Sequence, residues 1–236
     1  MFAANASETS ADADRLGLES LLQHPAIWRG RSTAQVSVVP TGFPVLDEAL
    51  PGGGWPSAGL VEILVSDLGV GELNVLLPAL AALTRKDGAR WCAWVAPPFE
   101  PFAPALAAHG VALERMFVVR TGQPLWAFEQ SLISGACEAV LAWAPRAPAR
   151  DIRRLQLAAE KGRALGVLFR PCSVAQESSN AVLRVIVEPT EQGSSVTLLK
   201  SRGGHRGGID LTWSHYPTQG RVMPSQPRQS DSHGSL

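Results

Sequence analysis

From Gly59 onward, short apolar runs alternate with segments in which apolar residues return every three or four positions, the periods of strand and helix. The strand-like runs are Gly59–Val65, Ala89–Ala96, Arg115–Arg120, Ala139–Trp143 and Gly166–Phe169, and the helical segments between them are 73–86, 102–109, 126–135 and 150–165. Apolar strands separated by helices predict an α/β fold: a largely parallel sheet covered on both faces, with right-handed crossovers. After Val182 the pattern changes. Residues 182–188 and 195–200 are strand-like and flank the turn-rich Pro189–Ser194, which predicts an antiparallel hairpin on one sheet edge, with Ile209–Trp213 as its extension.

Ahead of this core, Leu16, Leu18, Leu21 and Leu22 sit near helical spacing until Pro25 interrupts. A short amphipathic helix is expected there, packed on its own domain or used by a partner. Residues 1–15, and the proline-, glutamine- and serine-rich stretch 217–236, are expected to be disordered. That leaves a helical segment at 16–35 and one core domain at 36–216.

Composition changes the picture mainly by exclusion. A chain of 236 residues that is 45% apolar can bury one sizeable core. Its 21 basic and 21 acidic residues cancel, so no global field draws in nucleic acid or an anionic membrane, and DNA affinity would need a local patch. Cys92, Cys137 and Cys172 are widely spaced and odd in number, which reads as free thiols rather than a disulfide framework. The five histidines lack metal-ligand spacing and no serine sits in a nucleophile elbow, so no metal is expected. With no secretory signal and no membrane-length apolar stretch, a soluble, cytoplasmic protein is expected.

The connection after Gly59–Val65 stands where a phosphate-binding loop belongs in such a fold. With Gly71 as the second glycine of that pattern, the first falls on Ser66, the lysine position on Glu72 and the hydroxyl position on Leu73, with Gly69 between. A carboxylate repels a triphosphate and leucine cannot hold magnesium, so nucleotide binding is opposed on two counts. No catalytic residue and no cofactor are expected.

The surrounding residues make the comparison more specific. Pro40-Thr41-Gly42, Leu46-Asp47, Leu50, Gly53-Gly54-Trp55-Pro56 and Gly59-Leu60-Val61-Glu62-Ile63 together resemble the start of the RecA ATPase core. Within that core the chain is similar, over roughly residues 16–215, to the ImuA family, and Leu21–Arg31 resembles that family's N-terminal segment. These are SulA-like proteins that accompany ImuB and an error-prone DnaE-type polymerase in translesion synthesis. The resemblance implies a RecA-like sheet and a non-catalytic accessory of the SOS response. Its implied partners are ImuB, RecA and the polymerase, with nucleoid association during DNA damage. It also places the ATPase's catalytic glutamate at Pro98, with Glu100 two residues on, and its metal-associated aspartate at Trp143.

Two basic stretches remain. Arg150, Arg153 and Arg154, beside Arg146, Lys161 and Arg163, form either a solvated helix face or a DNA contact. The loop 200–208 carries Lys200, Arg202 and Arg206 among four glycines; the resemblance matches Lys200 and Arg202 to a pair that reaches a neighbouring subunit. With Trp28, these are the expected partner-binding residues. Trp91, Trp94 and Trp143 read as core packing, whereas Trp55, Trp126 and Trp213 are further anchor candidates. Two other functions stay open: a SulA-like division inhibitor acting on FtsZ, and a residual ATPase using Glu100.

Overall fold

The computed structural model describes residues 37–69, 71–201 and 208–212. The expected N-terminal helix, both expected tails and Trp213 lie outside the described residues. In chain order the elements are β1 (Val38–Val39), α1 (Pro44–Ala49), β2 (Trp55–Pro56), β3 (Gly59–Val65), α2 (Leu77–Arg85), β4 (Trp91–Val95) and α3 (Ala103–Ala108). There follow β5 (Met116–Val119), α4 (Pro124–Ile133), β6 (Cys137–Trp143), α5 (Ala149–Gly162), β7 (Leu165–Pro171), β8 (Leu183–Thr190), β9 (Gly193–Ser201) and β10 (Gly208–Thr212).

Among the described residues, eight strands form one sheet in the order β10-β9-β8-β3-β7-β6-β4-β5, and β1 with β2 makes a small separate ribbon. The strands from β5 to β8 across this order pair in parallel, while β9 and β10 are antiparallel additions. All seven residues of β3 are buried, as expected of a central strand covered on both faces. Leu46, Leu77, Leu80 and Leu106 of α1–α3 pack on one face with Val61, Ile63 and Trp94. Phe128, Leu132, Ile152 and Leu155 of α4 and α5 pack on the other with Leu60, Ala93 and Val140. The mostly parallel sheet flanked by helices is therefore present. The C-terminal strands differ in detail: β8 lies inside the sheet, parallel to β3, and only β9 and β10 run out to the edge.

Prolines set several helix starts. Pro44, Pro78, Pro104 and Pro124 each occupy the first or second helical position, where the missing N–H costs nothing. For α2 this corrects the expected boundary: the helix begins at Leu77, not Leu73, and 72–76 are turns. The expected helix 150–165 also stops early, at Gly162, because Arg163 turns left-handed at φ 50° and Leu165 already belongs to β7.

The residues that carried the resemblance to an ATPase core have local structural work. The Thr41 N–H donates to Asp47 Oδ1 at 2.8 Å, locking the start of α1. Gly42 has φ +86°, and a Cβ there would fall 2.4 Å from Pro78 Cβ, so α1 and α2 can approach only over glycine. A Cβ on Gly54 would meet the Val39 carbonyl oxygen at 2.4 Å, and Trp55 beside it is fully buried. These residues seat the β1–β2 ribbon on the core.

Candidate functional site

Ligands of open α/β sheets sit outside the carboxyl ends of the strands. There, the connections leaving β3 and β4 and the end of β6 surround a cavity of about 200 Å3. Its walls are Leu73, Leu77, Trp94, Pro97, Phe99, Phe102, Leu106 and Trp143, with Glu72, Asn74, Glu100 and His109 as polar members. Behind it, Trp143 stacks on Phe169, centroids 4.8 Å apart and planes 14° off parallel, and Trp94 leans on Trp143 at 5.5 Å. This is an aromatic floor across β4, β6 and β7.

The loop after β3 is closed by its own residues. Glu72 is buried, and the Gly69 N–H donates to Glu72 Oε1 at 2.9 Å and Oε2 at 3.1 Å. Gly69 and Gly71 take φ +82° and +104°, as an anion-cradling loop would, but the anion is the chain's own carboxylate. Phe99 lies over this loop, its ring 3.2 Å from where a Gly69 Cβ would stand. Leu73 packs against the core, Ser66 is exposed, and α2 begins five residues beyond Glu72, so no helix N-terminus opens at Gly71. Of the positions matched to acidic ATPase residues, Pro98 is exposed and Trp143 is buried in the aromatic floor. Glu100 is exposed and ion-paired with Arg120.

At the mouth of the cavity, Phe99 is 63% and Phe102 71% exposed, with Leu68 nearby in sequence to the closed loop and 40% exposed. Sequence reasoning passed over all three. The available signal was two phenylalanines in the proline-rich stretch 97–104, where no periodic pattern needs them for a core. At the end of β4, Ala96 adopts φ 50°, rare for a residue with a side chain, while its N–H donates to the Val119 carbonyl at 2.8 Å. This turn throws the segment from Pro97 to Phe102 across the rim.

The other sequence candidates lie elsewhere. Arg150, Arg153 and Arg154 are exposed on α5; Arg154 pairs with Glu129 and, at 3.6 Å, with Asp151. Lys200 is half-buried near the end of β9 and donates to the Ser179 carbonyl at 2.6 Å. Arg202, Arg206 and Trp28 lie outside the described residues. Of the tryptophans, Trp55, Trp94 and Trp143 are buried, Trp126 is 59% exposed, and Trp91, expected in the core, is 42% exposed. Trp91 is near the end of the sheet, where among the described residues only β5 lies beyond it, and it makes an edge-on contact with Phe117.

A second cluster, not singled out from sequence, lies within the sheet. Glu62 of β3 is fully buried between Arg170 of β7 and Arg184 of β8. Arg170 Nη1 donates to Glu62 Oε1 at 2.8 Å, and Arg184 Nε lies 2.8 Å from Oε2, as an ion pair whose angle does not make it a hydrogen bond. Arg170 also donates to Glu177, and Arg184 donates to the carbonyls of Val174, Ala175 and Glu177. The cluster ties the β7–β8 connection down.

Among the described residues there is no group of three or more metal-ligating side chains, and no helix is long and apolar enough to cross a membrane.

A family model described as cell division inhibitor SulA matches residues 60–166. The SulA of Photorhabdus laumondii is 36% identical over 116 residues, covering 47% of this chain and 63% of that relative. The SulA of Edwardsiella piscicida is 35% identical over 114 residues, covering 45% and 67%. Among solved structures, SulA from Pseudomonas aeruginosa aligns at 25% identity and TM-score 0.41, covering 47% of this chain and 97% of that one. The chain thus spans less than two thirds of the length of the Photorhabdus relative. These matches correct the expected ImuA assignment. The translesion role, with ImuB, RecA and a DnaE-type polymerase as partners, rested on that resemblance and falls with it, as does the expected nucleoid association.

Proposed function

We propose that this chain, which belongs to the family described as cell division inhibitor SulA, restrains division by binding FtsZ through the apolar rim around Phe99 and Phe102. The observation that supports this reading is the extent of the family match. Residues 60–166 contain the closed loop, Trp94 and Trp143 of the aromatic floor and both exposed phenylalanines. Exposed aromatic side chains beside a preformed hollow are the anchors that protein interfaces use. Inhibiting a polymer by occupying a subunit needs contact and no turnover, which suits a loop whose anion cradle is filled by Glu72. The likeness of residues 40–63 to an ATPase core carries no part of this reading.

Co-sedimentation of FtsZ polymers with GTP tests it. Pelleted FtsZ should fall in proportion to added chain. The double variant Phe99→Asp, Phe102→Asp should weaken the effect by about ten-fold or more, at unchanged thermal stability. Undiminished FtsZ pellets at excess chain would sink the proposal.

A further inference from the structure

The hollow bordered by Phe99 and Phe102 has mostly apolar walls, and its floor carries a donor that the fold leaves unused. β7 and β4 lie on opposite sides of β6, so Trp143 has Phe169 stacked against one face and Trp94, tilted by 50°, against the other. With both faces covered, Trp143 meets the hollow with its ring edge. The edge of an indole carries Nε1, and in Trp143 this nitrogen is buried with no hydrogen-bond partner among the described residues. Buried indole N–H groups ordinarily find an acceptor. A cation would instead be held by ring faces, and those of Trp143 are already taken.

Size and charge narrow the ligand further. An apolar cavity of about 150 Å3 takes up benzene, and this one, of about 200 Å3, has room for a ring with a short substituent. Leu73, Leu77 and Leu106 supply an apolar wall for the ring. Glu72 and Glu100 also border the hollow, and two acids oppose an anion. We propose that the hollow binds a small, uncharged aromatic molecule bearing a carbonyl oxygen, with the ring among the leucines and the oxygen accepting from Trp143 Nε1. The inference does not rest on FtsZ binding, because this chain alone forms the hollow and its donor.

Titration of the isotope-labelled 236-residue chain with acetophenone, followed by NMR at the indole N–H signals of its seven tryptophans, tests this. One signal, the one missing from Trp143→Phe, should move downfield, with a dissociation constant of about 1 mM or below. Ethylbenzene, of similar shape without the oxygen, should bind about five-fold more weakly. Benzoate should bind more weakly than acetophenone, since the acids repel it. Trp143→Phe keeps a ring on Phe169 and should erase the preference for acetophenone over ethylbenzene. Ala105→Phe, on an exposed position of α3 that borders the hollow, should weaken both neutral ligands about ten-fold by filling the space. This variant keeps the test sharp should the core substitution disturb folding. A Trp143 signal that stays still, ethylbenzene that binds as tightly as acetophenone, or benzoate that binds best overturns the proposal.

Discussion

Glu62 and Glu72 are buried acids ten positions apart in sequence, on either side of the C-terminal end of β3, and the chain neutralises them in opposite ways. Glu62 lies in the sheet between two buried arginines contributed by β7 and β8, the strands that flank β3. Glu72 lies in a loop and is held by the amide of Gly69, three residues back. The first arrangement joins distant parts of the chain and serves the fold. The second is local, and fills a loop that in nucleotide-binding proteins with an open α/β sheet faces a ligand. The acid nearest the rim is thus held by a loop amide, and around it the rim presents the apolar side chains of Phe99 and Phe102.

The comparison predicts unequal costs. Glu62→Ala should be the most damaging change, about 3–5 kcal/mol, because it leaves two guanidinium groups buried beside an empty site. Chemical denaturation measures it, and a loss no larger than that of Glu72→Ala would collapse the distinction. Replacing the whole set, Glu62→Leu with Arg170→Met and Arg184→Met, should recover most of that loss, since apolar packing can substitute for a buried ion cluster. Hydrogen exchange in residues 172–182 should nevertheless rise in this triple variant, because Glu177 and the carbonyls of Val174 and Ala175 lose their donors.

Glu72→Ala should cost less, about 1–3 kcal/mol, by stranding the Gly69 N–H. Glu72→Gln keeps an oxygen acceptor and should cost less again. The effect should stay local. Exchange should quicken around Gly69 and leave β3 protected, and a global loss of protection in Glu72→Gln would mean that the loop supports the fold as Glu62 does.

How much of this was legible in sequence follows from the range of each interaction. The period of apolar residues showed the α/β alternation, and the absent lysine at Glu72 was visible without coordinates. The late start of α2 was also readable, since Pro78 sits badly inside a helix that begins at Leu73. The Glu62 cluster was not. Its members are separated by 108 positions between Glu62 and Arg170, and each looks locally like a stray charge in an apolar strand. Nor could period alone show that Trp91 and Phe117 stay exposed, because that depends on β5 being the last strand of the sheet among the described residues. The family assignment turned on the core itself: residues 60–166 carry the likeness to SulA, whereas the ImuA reading leaned on Leu21–Arg31 and on motifs that prove to seat α1 and β2.

Glu138 of β6 supplies an intermediate case and the smallest predicted effect. Its carboxylate receives Arg90 Nε at 3.0 Å and Nη2 at 3.2 Å, and Lys86 Nζ lies 2.9 Å away. Burial pushes its pKa up, but the bonds from Arg90 and Lys86 outweigh that and hold it below the ordinary 4.5. A carboxylate with a depressed folded pKa contributes stability that is full above the unfolded value and is lost as pH falls through the folded one. Lys86 is half-exposed, so solvent screens the pair and Glu138→Gln should cost about 1 kcal/mol or less at neutral pH. The gap between the two proteins should hold steady down to the unfolded value of 4.5 and close in more acid solution. Thermal unfolding across that range checks the sign. Unlike Glu62, this acid has partners that water can replace. A gap that widened on acidification would mean that burial, not Arg90, governs the group.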